Sequence, residues 1–315
     1  MNIIPGYYEQ EPENNTFQDV IIDVTHRCNM TCKNCYIPNR DVPDMDMEKM
    51  LETISKFPKR TMIRIIGAEP TMRSDLPEMI KRIRQTGNRC TLLTNGLRLS
   101  KDSYVKKLKQ HGLRHCYISM NGADNEDWYE KIDELRCAKK KLQALENLRK
   151  NNFIIDTGTI IVKGINDNAI ERMLHVYKTY DIQNVVCRIK NVGEIGRSMT
   201  SGFGIGGQED NYTLDGLVKL FVEQTGLSED YIYEWRNKPI YQNDAPEVDS
   251  FMFPLDPKSE GKFMHKSGIW FKIANWKGEE GQEIPLRNNT RRGRLTPEWK
   301  VAPFFEHVKM NEGGY

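Results

Sequence analysis

The stretch DVIIDVTHRCNMTCKNCY, residues 19–36, joins an apolar run to three cysteines. The β-branched apolar run predicts a buried strand over 19–24. Cys28, Cys32 and Cys35 follow at C-x3-C-x2-C spacing and supply three thiolates. A structural zinc ion or an ordinary [4Fe-4S] cluster takes four protein ligands, so three leave one metal position open. The sequence therefore predicts an open metal centre just after the first strand.

A zinc knuckle is the alternative reading of these cysteines, with His26 or a distant cysteine as the fourth ligand. His26 precedes Cys28 by two residues, which is too close for the usual zinc loop. The chain has seven cysteines, and the other four are scattered at positions 90, 116, 137 and 187. This odd, uneven set is not a disulfide framework, and close thiols in a reducing compartment favour metal binding.

Length and composition set the class of protein. A chain of 315 residues can bury a full core. Charged residues make up 29% but the formal net charge is only +2, so no strong field points to nucleic acid or to an anionic membrane. Residues 1–15 lack the basic and apolar regions of a signal peptide, and no later run is long and apolar enough to span a bilayer. We expect a cytoplasmic protein with neither a nucleic-acid nor a membrane partner.

Apolar runs and amphipathic stretches alternate between residues 20 and 190, which is the pattern of repeated βα units around a parallel sheet. The predicted strands are 19–24, 62–66, 89–94, 115–120, 154–162 and 184–189. The predicted helices begin near Asp46, Ser74, Lys101, Asp133 and Asn168. We expect an α/β fold in which residues 1–190 form a partial (β/α)6 barrel of the TIM type, with the active site at the carboxyl ends of its strands.

The pattern changes after the sixth strand. A glycine-rich stretch spans 193–207, a helix is predicted over 214–225, and apolar runs return at 268–276 and 291–307. A segment of this length after a barrel commonly covers the barrel mouth or contacts substrate. Residues 191–315 are therefore expected to form a substrate-covering extension.

The cysteine loop resembles the signature of the radical S-adenosylmethionine (SAM) superfamily, and further marks of that family recur at successive strand ends. Residues 67–70 resemble its GGEP element, whose backbone and glutamate receive the SAM amino group, although Ala68 replaces the second glycine. Thr94 and Asn95 resemble a TNG turn, while Ser119 and Asn121 match positions that bond the SAM ribose or carboxylate. The cofactor contacts implied by the resemblance are Asn34, Tyr36, Gly67, Ala68, Glu69, Pro70, Thr94, Asn95, Ser119, Asn121 and Arg188.

Two basic residues alternate with apolar ones on the sixth strand. Arg188 and Lys190 flank Ile189, so both either project into the barrel, towards a carboxylate or phosphate, or lie on the exposed surface. Lys190 is counted as a substrate contact.

Residues 289–297 resemble the C-terminal segment of the GTP-cyclising branch of molybdenum-cofactor biosynthesis, in which arginines grip the substrate. Arg292 and Arg294 match those arginines, and Arg64 matches another substrate-binding arginine of that branch. The three complete the expected substrate contacts. The second-cluster cysteines of that branch fall on Arg287, Thr290 and Phe304, so a single cluster is expected. Asp156 stands where that branch has a substrate-contacting lysine, and the reversed charge argues against GTP as the substrate.

The resemblance implies an enzyme that cleaves SAM reductively at one [4Fe-4S] cluster, held by Cys28, Cys32 and Cys35. The resulting 5′-deoxyadenosyl radical would abstract hydrogen from a small polar substrate, expected to be anionic. A flavodoxin or a ferredoxin would supply the electron, and no residue is assigned to the later chemistry. A peptide-modifying maturase and a zinc-binding module without catalysis are the alternatives.

Overall fold

The computed structural model describes residues 7–37, 39–183, 185–193, 196–199, 211–230, 232, 250–254, 269–274 and 292–304. Within these ranges a parallel sheet forms the centre of the molecule, and helices pack against its outer face. No helix among the described residues has the length and apolar character needed to cross a membrane.

Six strands run parallel in chain order at the middle of the sheet. They are β1 (Asp19–Asp23), β2 (Met62–Ile66), β3 (Arg89–Thr94), β4 (His115–Ser119), β5 (Ile154–Ile160) and β6 (Val186–Lys190). All six coincide with strands predicted from the sequence, to within two residues at each end. The partial barrel is thereby confirmed.

Seven helices lie in the described part of the chain. They are α1 (Met47–Lys56), α2 (Leu76–Gln85), α3 (Asp102–Gln110), α4 (Glu126–Asp133), α5 (Ala138–Lys150), α6 (Ala169–Thr179) and α7 (Leu214–Thr225). Asp46 accepts a hydrogen bond from the Lys49 backbone N–H at 2.8 Å and thereby caps α1, as an N-cap carboxylate should.

The helix predicted to begin near Asp133 is wrong in its start. Asp133 is the last residue of α4, and Glu134 next to it has a φ of 54°, in the left-handed region that ends a helix. A second helix, α5, starts only at Ala138. The break between α4 and α5 brings Asp133 to the candidate active site.

Alternation along the strands separates the core from the barrel interior. Ile63 and Ile65 of β2 are fully buried in the apolar core, whereas Arg64 between them lines an interior cavity. Cys187 and Ile189 of β6 are likewise buried, and Arg188 and Lys190 line the same cavity. The strands thus carry apolar residues towards the helices and charged residues into the barrel.

The chain beyond residue 190 adds four strands to the same sheet. They are β7 (Ser250–Pro254), β8 (Trp270–Ala274), β9 (Arg292–Leu295) and β10 (Val301–Pro303). β9 pairs in parallel with β1, and β8 pairs in parallel with β6, so the parallel part of the sheet has eight strands rather than six. β10 and β7 pair antiparallel at the two edges. The sequence did not predict this continuation of the sheet; that residues 191–315 also cover the barrel mouth stays a prediction.

Candidate active site

One interior cavity of about 290 Å³ lies at the carboxyl ends of the strands. All three cysteines of the loop line it. Nine of the residues expected to contact the cofactor also line it: Asn34, Tyr36, Gly67, Ala68, Thr94, Asn95, Ser119, Asn121 and Arg188. The fold therefore brings residues from the cysteine loop and from five strand ends to a single space.

The cysteine loop is fixed by backbone and apolar contacts. The Lys33 N–H donates to the Ile132 carbonyl oxygen at 3.0 Å, which ties the loop to α4. Cys28 and Cys32 pack against an apolar cluster that includes Met30 and Tyr129. Burial raises the pKa of the Cys28 thiol, and burial together with the Asp133 charge raises the pKa of Cys32 well above its usual value.

The segment Gly196–Met199 lies against this loop and was not assigned a role from the sequence. Gly196 approaches so closely that a Cβ there would stand 2.4 Å from the Cys35 carbonyl oxygen. The Arg197 backbone N–H donates to that same oxygen at 2.8 Å, and its guanidinium donates to the carbonyl oxygens of Thr31 and Cys32. The cysteine loop is thus held from both sides.

The donor set fits a cluster with one open iron. Three thiols and no histidine are found among the described residues around the cavity. His26, the fourth ligand in the zinc reading, has its Nδ1 3.0 Å from the Asn39 carbonyl oxygen and does not line the cavity. In the described part of the chain, no three His, Cys, Asp or Glu side chains converge on a point that one metal ion could occupy. A cubane instead gives each thiolate its own iron, which suits three thiols that do not converge on one point.

The Gly67–Pro70 turn requires glycine at its first position. Gly67 has a φ of 132°, and a Cβ there would lie 2.3 Å from the Thr25 carbonyl oxygen. That oxygen accepts a hydrogen bond from the Ala68 N–H at 2.8 Å. The turn therefore lies tightly against the chain entering the cysteine loop, with the backbone of Gly67 and Ala68 facing the cavity.

Glu69 is not among the described residues that line the cavity, and the expectation that its carboxylate receives the SAM amino group stays a prediction. The side chain is fully buried, and its oxygens accept hydrogen bonds from the backbone and hydroxyl of Thr71, from the Thr94 hydroxyl at 2.6 Å and from the Asn95 N–H at 2.7 Å. Pro70 is buried beside it. By accepting from Thr94 and Asn95, the glutamate joins the ends of β2 and β3, and Oε2 accepts only one of these hydrogen bonds.

Asn121 and a buried ion pair form a polar corner near Cys32. The Asn121 side-chain amide donates to Asp133 Oδ1 at 2.8 Å, and Lys141 Nζ donates to the Ser119 carbonyl oxygen at 2.8 Å. Lys141 Nζ lies 3.6 Å from Asp133 Oδ2, which has no hydrogen-bond donor in the described structure. Both ionic side chains are at least 99% buried and line the cavity. Neither Asp133 nor Lys141 was predicted as a site residue from the sequence, since their pairing depends on the break between α4 and α5.

Most of the charged side chains around the cavity are basic. Among the described residues around the cavity, six are basic and one, Asp133, is acidic. Three of the expected substrate contacts, Arg64, Lys190 and Arg292, are in this set. Arg64 Nε donates to Asp19 at 2.8 Å; burial lowers the pKa of Arg64 to about 10, with the Arg292 charge acting in the same direction.

Tyr117 lies beneath two of these cations and was not identified from the sequence. Its ring centroid is 5.4 Å from the Arg188 guanidinium carbon and 5.7 Å from Lys190 Nζ. The tyrosine hydroxyl occupies the space that a side chain at Gly158 would take, 1.5 Å from that Cβ position. Because Gly158 has no side chain, the Tyr117 ring can lie against the Arg188 and Lys190 cations.

Asp156 forms an ion pair with Arg188. Its Oδ2 lies 3.2 Å from both Arg188 Nη2 and His115 Nε2. Burial acts to raise the pKa of Asp156, but the close contact with His115 and the Arg188 charge outweigh it and lower that pKa. The carboxylate is therefore engaged within the protein.

Arg294 does not line the cavity, so its expected role as a substrate contact is not supported by its position. It is fully buried and pairs with Asp23, Nη2 to Oδ2, at 2.8 Å. Its neighbour two residues earlier on β9, Arg292, does line the cavity.

Residues 22–176 match the family model of the radical SAM superfamily. The chain is 35% identical over 159 residues to a 7,8-dihydro-6-hydroxymethylpterin dimethyltransferase of Methanocaldococcus jannaschii, covering 47% of this chain and 31% of that protein. It is 29% identical over 180 residues to a GTP 3′,8-cyclase of Helicobacter pylori, covering 54% and 55% of the two chains. The chain thus spans about a third of the length of the dimethyltransferase and just over half of the length of the cyclase.

Solved structures share the fold. The structure of Streptococcus suis SuiB bound to the precursor peptide SuiA has a TM-score of 0.63 at 14% identity, covering 95% of this chain and 62% of that one. Methylornithine synthase, PylB, has a TM-score of 0.51 at 15% identity, covering 67% and 63%.

Members of the radical SAM superfamily bind a [4Fe-4S] cluster and SAM, in agreement with the cofactors expected from the sequence. The three-cysteine loop lies inside the matched range, at the mouth of a barrel of the expected kind. Residues 22–176 form a radical SAM domain.

Proposed function

We propose that this protein cleaves SAM reductively at a single [4Fe-4S] cluster and uses the radical to take a hydrogen atom from a small anionic substrate. The observation that carries the proposal is the shared cavity: three thiols line it together with Arg64, Lys190 and Arg292, which form its basic wall. When bound, the cluster supplies one electron to the SAM sulfonium, which gives methionine and the 5′-deoxyadenosyl radical. A flavodoxin or a ferredoxin is the proposed source of that electron.

The residues near the cysteine loop would hold the two cofactors. Cys28, Cys32 and Cys35 would bind three irons, and the chain has no cysteine after Cys187 that could hold a second cluster in the C-terminal part. The open iron would be left for the amino and carboxylate groups of SAM. Gly67 and Ala68 line the same cavity as the three cysteines, and their backbone would receive the amino group.

The polar corner at Asp133 would bind the SAM ribose. Asp133 Oδ2 is a buried acceptor with no donor among the described residues, and such an atom carries a desolvation cost until one arrives. A ribose hydroxyl is a donor of the right kind. Asn121 and Lys141 hold the carboxylate in place from either side.

The basic wall would bind the substrate through a carboxylate or a phosphate. Arg64, Lys190 and Arg292 line the cavity. An anion that enters between them would reduce the electrostatic repulsion between Arg64 and the other cations. Arginine matches such anions with two parallel hydrogen bonds. Asp156 argues against GTP, because its carboxylate holds Arg188 where the related branch has a cationic lysine.

Anaerobic reconstitution tests the proposal. The purified full chain is loaded with iron and sulfide and is then incubated with SAM and dithionite, and 5′-deoxyadenosine is measured. We expect the wild-type chain to form it, and Cys28→Ala, Cys32→Ala and Cys35→Ala each to lose both the cluster and the product. Cys90→Ala is the matched control, since Cys90 is buried away from the cavity and should keep both. A colourless chain that binds zinc, or product formation that survives the loop substitutions, would refute the proposal.

A further inference from the structure

Arg40 contacts a cluster cysteine directly. Its Nη2 donates to Cys35 Sγ at 3.0 Å, and its Nη1 donates to the His26 carbonyl oxygen at 3.3 Å. The side chain also lines the cavity. The guanidinium therefore lies beside one corner of the proposed cluster.

The loop around Arg40 is tied down on both sides. The Asn39 carbonyl oxygen lies 3.0 Å from Nδ1 of His26, which is 97% buried. The Asp41 N–H donates to the Asn39 side chain at 2.9 Å. The position of Arg40 is thus set by the same chain segment that leads into the cysteines.

The charge on Arg40 is not neutralised by a carboxylate within the described part of the chain. Arg27, on the same loop, pairs instead with Asp44. Other charged groups act on the remaining thiols: Glu69, together with Arg40 itself, acts on Cys28, and Asp133 with Lys141 acts on Cys32. Cys35 is the thiol with a cation as its direct hydrogen-bond partner.

A donor to a cluster sulfur favours the reduced cluster. A cysteine sulfur keeps lone pairs after it binds iron, so it can still accept an N–H hydrogen bond. Reduction adds negative charge to the cluster and its sulfurs, and both the hydrogen bond and the positive charge stabilise that state. The effect raises the reduction potential and makes electron entry from a protein donor easier.

We propose that Arg40 is a positioning residue that raises the reduction potential of the cluster through its hydrogen bond to Cys35. This inference rests on the proposed function, since it requires a cluster at Cys28, Cys32 and Cys35. Arg40 acts through the cysteine and takes no part in the bond changes of the substrate.

The test is the midpoint potential of the reconstituted full chain without SAM, from a dithionite titration followed by electron paramagnetic resonance. Arg40→Gln keeps an N–H donor but removes the charge, and we expect an about tenfold less favourable one-electron reduction, a shift of about 59 mV to lower potential. Arg40→Lys keeps the charge and should shift the potential by less. Arg27→Gln is the matched control and should leave the potential unchanged.

Iron content separates the possible failures. If the wild-type chain holds no cluster, the proposed function fails. If wild type and Arg40→Gln hold equal amounts of cluster at the same potential, only the role of Arg40 is refuted. Should Arg40→Gln not assemble a cluster, Arg40→Met, which has neither the charge nor an N–H donor, carries the comparison, and an unshifted potential in that variant overturns the proposal.

Discussion

Arg294 Nη2 lies 2.8 Å from Asp23 Oδ2, and this fully buried ion pair joins two strands that are separated by 271 residues in the chain. Asp23 ends β1, directly before the cysteine loop, while Arg294 belongs to β9. The C-terminal part of the chain is thereby attached to the strand that presents the cluster ligands.

Removing one partner of this pair should destabilise the fold. Arg294→Ala leaves the Asp23 carboxylate buried without its cation, and we expect the free energy of unfolding to fall by about 3–5 kcal/mol. Urea denaturation of the chain without cofactors measures it. The double variant Asp23→Ala/Arg294→Ala should lose less than the sum of the two single variants, because no buried charge is left alone. Additive losses would show that the pair is not coupled.

Gly67 should not tolerate a side chain. Gly67→Ala places its Cβ 2.3 Å from the Thr25 carbonyl oxygen at a φ of 132°, and we expect a loss of about 3 kcal/mol in the free energy of unfolding together with weaker SAM binding. Gly164→Ala is the control: its φ is also positive, at 76°, but no atom lies within 4 Å of the added Cβ, so only about 1 kcal/mol of backbone strain is expected. Equal losses in the two variants would contradict a specific contact at Gly67.

The six central strands and most of the helix starts could be predicted because their signals are local. Alternating or continuous apolar runs and acidic or amide N-caps are readable within a dozen residues. The break at Glu134 was missed, since its left-handed backbone has no glycine to mark it. The pairing of β9 with β1 was missed because it joins distant segments, and the engagement of Glu69 by Thr71, Thr94 and Asn95 depends on that three-dimensional arrangement.

The basic wall of the cavity should bind a simple anion. We expect inorganic phosphate to raise the melting temperature of the wild-type chain and to bind about 10- to 100-fold more weakly to Arg292→Ala and Lys190→Ala, because each loses a charged hydrogen-bond donor. Thermal shift and calorimetric titration measure these effects. Both variants should still form 5′-deoxyadenosine in the absence of substrate. Arg89→Ala, at the opposite end of β3, serves as the control, and phosphate affinities that do not differ among the four proteins would argue against an anion site.

Lowering the pH should reduce the free energy of unfolding through protonation of Asp156. Because folding lowers the pKa of this carboxyl, its stabilising contribution is complete above the unfolded pKa of about 3.9 and is lost as the pH falls through the folded value. Between about pH 5 and pH 3, the free energy of unfolding should therefore decrease more steeply for wild type than for Asp156→Asn. Urea denaturation at a series of pH values compares the two slopes. Parallel curves would show that the ionised carboxylate does not stabilise the fold.

The most direct measurement of the central claim is the electron paramagnetic resonance spectrum of the reduced, reconstituted chain before and after SAM is added. Three cysteine ligands leave one iron open, so SAM should bind that iron and change the g values of the cluster. A spectrum that SAM leaves unaltered, from a chain shown to contain the cluster, would mean that no iron is open to the cofactor and would contradict the account.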